Sequence, residues 1–397
     1  MTGPARPDVL IVGGGIGGLA TALAVAATGR RAHVVEQASE FAEIGAGIQL
    51  APNAMRMLER LGVVNRVRQD CFYPQGALLM NALTGDRITA LTFDDRFRLA
   101  FGQPYVVTHR HDLLDALLQG CVEAPGITLE TSKRVDHLDQ VGDELLVRCA
   151  DGSTYRPKSV VGADGLWSTV RQFVLGDGPP KCRQHVAYRG TIPIDSVANA
   201  AGVDNVVWWI GPRIHLIQYP IRRGELYNQV AVFESDQYVP DSDNWGLVDE
   251  LETRFRSVAA PVAEGVAKIN RDRRWALFDR DPIENWTSGR VTLLGDAAHP
   301  MLQYLAQGAA QALEDAAALG CALEICDSYE AAFSRYQADR LPRTSSLQIW
   351  ARRMGEIVHF DGVGAILRDE LLRSRAEDDF RYFEWLYSYG GDDLARA

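Results

Sequence analysis

Apolar residues follow two rhythms along this chain. The run DVLIVGG, residues 8–14, is short, continuous and closed by glycine, the pattern of a parallel strand buried on both faces. An Ala- and Leu-rich stretch then runs from Gly17 to a glycine stop at Gly29, and AHVVEQ returns as a second strand. Together they predict a βαβ unit of the usual size, about thirty residues. PNAMRMLERLG puts Ala54, Met57, Leu58 and Leu61 on one helical face, with Gly62 as its stop. ALLMNALTGDRITALTF and RVDHLDQVGDELLVRCADGSTY read as strand-turn-strand hairpins hanging on this framework.

From about Arg183 to Arg280 the rhythm changes. AYRGTIPI, VVWWIGP, IHLIQYPI and YNQVAVFES are β-branched and aromatic runs split by Gly, Pro and charges. They predict a mostly antiparallel sheet with helices near 245–258 and 262–269, inserted into the first unit, because RVTLLGD resumes the buried-strand style at Arg290. Helices are expected over 308–326 and 328–354, with a weaker helical tail from Val363. The expected division is a Rossmann-like α/β framework at 1–182 and 281–353, the inserted sheet at 183–280, and a C-terminal helical tail at 354–397.

Composition narrows the function classes. With 41 Lys+Arg against 52 Asp+Glu the net charge is −11, so no global field draws in nucleic acid or an anionic membrane, and an anionic ligand must be held locally. The six cysteines are scattered without a C-x-x-C pair, which suits reduced thiols. MTGPARP lacks a signal core and no apolar run reaches the ~20 residues of a membrane span. The expectation is a soluble, cytoplasmic protein. His109, His111 and Asp112 in THRHD lack a further ligand at metal-site spacing, so no metal is expected. Trp208 and Trp209, adjacent on a strand, point to opposite faces and read as packing.

Three motifs carry chemistry. GGGIGG fits G-x-G-x-x-G at Gly13, Gly15 and Gly18 between strand and helix: a tight turn, close approach to a pyrophosphate, and close helix–strand packing. Glu36 ends the second strand 23 residues after Gly13, near the ~20 expected of the acid that accepts ribose hydroxyls. A nicotinamide dehydrogenase and a flavoenzyme would both use this fingerprint. GADGLWSTVR fits D-G-x-x-S-x-x-R at Asp164, Gly165, Ser168 and Arg171, and GDAAHP sets Asp296 at the end of another strand.

In this order and spacing the three motifs resemble the single-component flavin-dependent aromatic hydroxylases typified by 4-hydroxybenzoate 3-hydroxylase, over residues 8–353. The resemblance implies an FAD enzyme with NADH or NADPH as co-substrate, O2 as oxidant, no separate nicotinamide domain, and a homodimer. Gly13, Gly15, Gly18 and Glu36 would hold the ADP half, Asp296 the ribityl chain, and Arg110 the flavin's polar chain at a helix start. Asp164 lies in the stretch that serves both FAD and nicotinamide. The N-terminus of the 307–326 helix, Ala309 included, could aim amides at the pyrimidine end of a reduced flavin. Pro300, Met301 and Leu302 would wall a chamber from which water is excluded, since water diverts activated oxygen to peroxide. His299 is expected to pack near the cofactor loop.

After His-Pro this chain has Gln303, Tyr304 and Ala306 where the general family has a Thr/Pro/Asn/Leu-Gly-type turn. That departure, with IGPRIHLIQYP, NQVAVFES and DRDPIENW, resembles the 3-hydroxybenzoate 6-hydroxylases, which hydroxylate para to a phenol to give gentisate. Alternation along IHLIQYP sets His215, Ile217 and Tyr219 on one face, with Leu216 and Gln218 on the other. His215 could take the phenolic proton, and the resemblance gives Gln303 and Tyr219 the task of orienting the ring. Alternatives at this stage are decarboxylative salicylate 1-hydroxylation, hydroxylation of a larger phenol or quinolone, and a colourless nucleotide-binding protein without redox work.

Overall fold

The computed structural model describes residues 5–42, 45–197 and 202–390. Val9–Val12 is buried at every position because it lies inside a six-stranded sheet. The strand order is Thr287–Ser288, Val291–Leu293, Ser159–Gly162, Val9–Val12, Ala32–Val35, Ile127–Glu130. All neighbours are parallel except the first pair, and the return of the chain to this sheet at Val291 matches the change of rhythm in the sequence. The helices Ile16–Ala27, Arg110–Glu123 and Gly308–Ile325 pack with it. A Cβ at Gly18 would lie 1.9 Å from the Gly13 carbonyl oxygen, so close packing of helix on strand requires glycine there.

The second sheet has seven strands, in the order Arg274–Asp279, Lys181–Pro193, Leu226–Glu234, Ile214–Ile221, Val206–Gly211, Gly76–Asn81, Arg87–Thr92. The last two are the first hairpin. The sequence reading hung it on the nucleotide framework; instead Gly76–Asn81 pairs in parallel with Val206–Gly211 and extends the inserted sheet. The second hairpin forms a small sheet of its own, Val135–Val141, Glu144–Cys149 and Thr154–Tyr155.

Register sorts the second sheet's side chains by face. Ala187, Val232, His215 and Ile210 are cross-strand partners, and so are Arg189, Val230, Ile217 and Trp208 in the next row, and Thr191, Asn228 and Tyr219 in the one after. The opposite face carries Val186, Tyr188, Leu216, Ala231, Phe233 and Trp209. They form a core with residues of the helices Val248–Arg254, shorter than the span read from sequence, and Ala260–Ala267, of the expected length but two residues earlier. The His215 face packs instead against residues 301–305 and the long helix Tyr329–Val358. That helix passes Pro342 without ending and runs four residues beyond Met354. The tail then forms Gly362–Arg373 and comes back to the second sheet, where Thr92 N–H donates to the Glu377 carbonyl. Among the described residues no helix is long and apolar enough to cross a membrane.

Candidate active site

The first glycine motif forms a cradle. Gly13 has φ +106°, and a Cβ there would lie 2.3 Å from the Ala163 carbonyl oxygen, so only glycine fits the turn. Gly14 N–H donates to Glu36 Oε2 at 2.7 Å and Ala38 N–H to Oε1 at 2.9 Å. These bonds fix the Glu36 carboxylate at the strand end and leave lone pairs for a sugar hydroxyl. The Ile16–Ala27 helix begins after Gly15 with no side chain capping it, so its first amides face outward, ready for phosphate.

Asp296 follows Gly295, whose N–H donates to Asp315 Oδ2 at 3.0 Å. Its neighbours are buried, yet Asp296 is itself exposed, with protein crowded around its carboxylate. Desolvation by that protein pushes its carboxyl up, while His299 and Arg110 pull it back and Asp315 adds to the rise. Arg110 opens the Arg110–Glu123 helix, as expected. Burial lowers its pKa and the Asp296 carboxylate opposes that, so these two residues from separate elements lie within electrostatic reach of each other.

The D-G-x-x-S-x-x-R residues brace the Asp296 loop. Asp164 accepts from Ser168 Oγ at 2.5 Å and from the amides of Thr169 and Val170 at 2.7 and 3.1 Å, so both its oxygens start the Thr169–Val174 helix. Fully buried Arg171 binds Asp177 and donates to the carbonyls of Ala297 and Ala298 at 2.9 and 2.8 Å. That arginine ties the motif to the Asp296 loop. His299 sits 2.6 Å from Asp315 Oδ2, and Arg340 Nε donates to Asp315 Oδ1 at 2.8 Å; the histidine is a buried support of the loop. At the THRHD segment, His109 Nδ1 accepts from His111 N–H at 3.2 Å and Asp112 is held by Arg222, so two of its side chains are a helix cap and an ion-pair partner.

The His215 face forms a wall with residues 301–305. Tyr219 is buried with its ring against Gly47, where a Cβ would lie 2.5 Å from Cε2. Burial raises its phenol pKa, and Arg189 and Arg110 work against that rise. Gln303 Oε1 accepts from Arg189 Nη2 at 2.8 Å, which leaves the amide nitrogen of Gln303 as the donor. His215 is buried beside Tyr304, ring centroids 5.3 Å apart, and its Nδ1 lies 2.9 Å from Nε2 of His359. Desolvation and the nearby His185 hold its pKa down at about 3, so it is neutral at physiological pH. Met301 and Leu305 pack with Ile217, and Leu302 joins the same cluster. Ala306 closes the turn with φ +52°, and beyond it Gly308–Ile325 starts without a side-chain cap, with Ala309 second in line.

The reading from sequence missed Arg189. Its guanidinium lies against Trp275, 5.5 Å from the ring centroid, and its Nε is buried with no hydrogen-bond partner. Desolvation, and then the repulsion of Arg110, lowers its pKa to about 10. It could have been found by carrying the alternation of IHLIQYP across to AYRGTIPI, but that requires the register of three strands.

The model of a family described as FAD binding domain matches residues 6–350. With relatives 38% identical over nearly the whole chain that are aromatic-ring hydroxylases, the chain belongs to the flavin-dependent aromatic hydroxylases. It is 38% identical to the 3-hydroxybenzoate 6-hydroxylase of Klebsiella oxytoca over 98% of each chain. It is also 38% identical to 3-hydroxybenzoate 6-hydroxylase 1 of Aquipseudomonas alcaligenes, over 96% of this chain and 97% of that one. Among solved structures, Klebsiella pneumoniae HpxO complexed with FAD and uric acid superposes with a TM-score of 0.84, at 24% identity over 100% of this chain and 98% of that one, which shows a shared fold.

The residues of this hydroxylase fit FAD. The Gly13 turn leaves no room for a side chain, the first helix has uncapped amides beside it, and the carboxylate of Asp296 is exposed between buried neighbours. Gly13, Gly15, Gly18 and Glu36 would hold the ADP half, Asp296 and Arg110 the polar chain, and the amides near Ala309 the far end of the ring. Asp164 would act at this site through backbone placement, since its carboxylate is taken up by the following helix.

Proposed function

We propose that this protein is a 3-hydroxybenzoate 6-hydroxylase, which consumes NADH or NADPH and O2 and places a hydroxyl para to the phenol to give gentisate, 2,5-dihydroxybenzoate. The observation that carries the reading is the Arg189–Gln303 pair on the same wall as His215. A desolvated guanidinium with an unpartnered Nε calls for an anion, and an aromatic carboxylate meets that need with charge-assisted bonds. A neutral histidine one row along the sheet suits a phenol. An acid and a phenol on one ring match both features.

FAD, when bound and reduced, supplies the activated oxygen atom. The chain's own residues do the rest. Arg189 takes the carboxylate and holds Gln303 so that its amide nitrogen donates to the ligand. His215 accepts a hydrogen bond from the phenolic hydroxyl, which raises electron density at the para carbon. Tyr219 orients the ring from the end nearest Arg110. Met301, Leu302 and Leu305 keep water out of the chamber. We place this chemistry in the cytoplasm, where reducing conditions suit the six free thiols and nicotinamide cofactor is at hand, and in a homodimer.

Incubating the yellow protein with NADH or NADPH and a panel of hydroxybenzoates tests the reading. The expected product from 3-hydroxybenzoate is one oxygen heavier and co-elutes with 2,5-dihydroxybenzoate. Product from salicylate alone, with loss of CO2, would overturn it.

A further inference from the structure

His359 follows the last residue of the Tyr329–Val358 helix, in the segment expected to be a C-terminal helical tail. The structure instead returns its imidazole to the chamber wall, where Nε2 stands 2.9 Å from Nδ1 of His215, 144 residues earlier in the chain. Two imidazole nitrogens at that distance share one proton: one ring donates and the other accepts. Both rings are buried. His185 lies edge-on to His359 at 5.3 Å between centroids, and its Nδ1 bonds the Tyr304 hydroxyl at 2.8 Å.

A neutral histidine that accepts a phenol's hydrogen bond at Nε2 must carry its own hydrogen on Nδ1, and that hydrogen needs an acceptor. His359 Nε2 is the acceptor in contact. We propose that His359 is a positioning residue that holds His215 in its Nδ1-protonated tautomer, leaving Nε2 free to accept a hydrogen bond from the phenol of the substrate. The inference rests on the proposed role of His215 toward a phenol. The partner is a neutral ring where many such pairs have a carboxylate, so it orients His215 without making it a standing cation.

The groups around His359 agree with an acceptor. Arg213 on the turn before the His215 strand and Arg368 on the Gly362–Arg373 helix both disfavour positive charge on it, as do His215 and His185. Glu234, on the neighbouring strand, acts on His185 and Tyr304. Arg368 is itself held by Asp369 and by the carbonyls of Ile357 and Val358, which anchors the backbone just before His359.

The test uses the FAD-loaded enzyme and two variants. His359→Leu removes the acceptor; His359→Gln restores one through its side-chain carbonyl, close to where Nε2 stood. With 3-hydroxybenzoate, H359L should lose about 10- to 100-fold in kcat near pH 7, the range for removing a partner that orients a functional histidine. The loss should shrink as pH rises toward the phenol's own ionisation near ~10. H359Q should recover most of the activity at pH 7. Equal impairment of H359Q and H359L with normal FAD content, or a loss that does not change with pH, would overturn the proposal.

A second measurement needs no substrate. The 15N imidazole shifts of His215 should report a single Nδ1-protonated tautomer in the wild type and a mixture in H359L; an Nε2-protonated wild-type ring overturns the inference. If the tautomer is as stated but 3-hydroxybenzoate is not turned over, the substrate assignment fails and the placement of His359 stands.

Discussion

Ala306 and Arg189 show what single residues contribute to this site. Ala306 occupies the left-handed region at φ +52°, where a Cβ costs roughly 1–2 kcal/mol and glycine costs little. The general family's turn has glycine close to this point. Ala306→Gly should therefore raise stability by about 0.5–1 kcal/mol, after allowing for the greater freedom of glycine in the unfolded chain. A thermal midpoint that rises by a few degrees would match, and one that falls would mean the alanine is unstrained. Arg189 is the stronger functional lever. Arg189→Met keeps bulk but removes the charge, and KM for 3-hydroxybenzoate should rise about 100-fold, the scale of a charge-assisted pair worth ~2–3 kcal/mol. The neutral analogue 3-hydroxybenzamide separates charge from shape, because its binding should change little; equal losses for both ligands would remove the carboxylate from Arg189. That His215 and Tyr219 share one face was legible in the sequence because alternation within one strand is local. Arg189 was not, because its place beside them depends on pairings through the Leu226–Glu234 strand.

At the scale of elements, the Ala-rich helix Gly308–Ile325 was legible from composition and its buried acids were not. Glu314 and Asp315 are fully buried and meet Arg340 of the next long helix, with Arg343 on Glu314 and His299 on Asp315. Burial pushes the Asp315 carboxyl up, but His299 and Arg340 win and hold it down at about 2. Such a network is expensive to break from one side. Arg340→Met takes one cationic partner from each of two buried carboxylates, leaving Arg343 on Glu314 and His299 on Asp315, and should cost about 3 kcal/mol, read from urea unfolding. Asp315 also holds the Gly295 amide beside Asp296, so the same variant should release FAD more readily on dilution. Retained flavin together with wild-type stability would show the helix pair to be held by its apolar contacts alone. The first hairpin teaches the same lesson about range. Its strands and TGD turn were plain in the sequence, yet its parallel partner, Val206–Gly211, lies more than a hundred residues away, and no local pattern could show which sheet it joins.

Across the whole molecule, the two sheets and the returning tail enclose a wall that holds three histidines in or near their neutral form at low cost only while the solution is not acidic. His185, His215 and His359 all have pKa values below the ordinary histidine value, with desolvation the first cause in each. An unfolded histidine titrates near ~6.5, whereas folded His215 does so at about 3. Above pH 6.5 both states are neutral and the group leaves stability unchanged with pH. As pH falls below that value the unfolded chain takes up protons that the folded wall refuses, so stability declines until pH reaches about 3, where folded His215 itself protonates. For His215 alone the loss is roughly 2 kcal/mol by pH 5, and His185 and His359 add in the same direction. Asp315 is separate, since its contribution is lost only below the ordinary carboxylate range, toward about 2. Urea midpoints at pH 7.5 and pH 5.0 isolate the histidines. The wild type should lose stability between the two, and His215→Gln, which cannot titrate there, should lose less. If the two proteins decline by the same amount, His215 is not a buried neutral group, and both its access to a phenol and its pairing with His359 would need a different geometry.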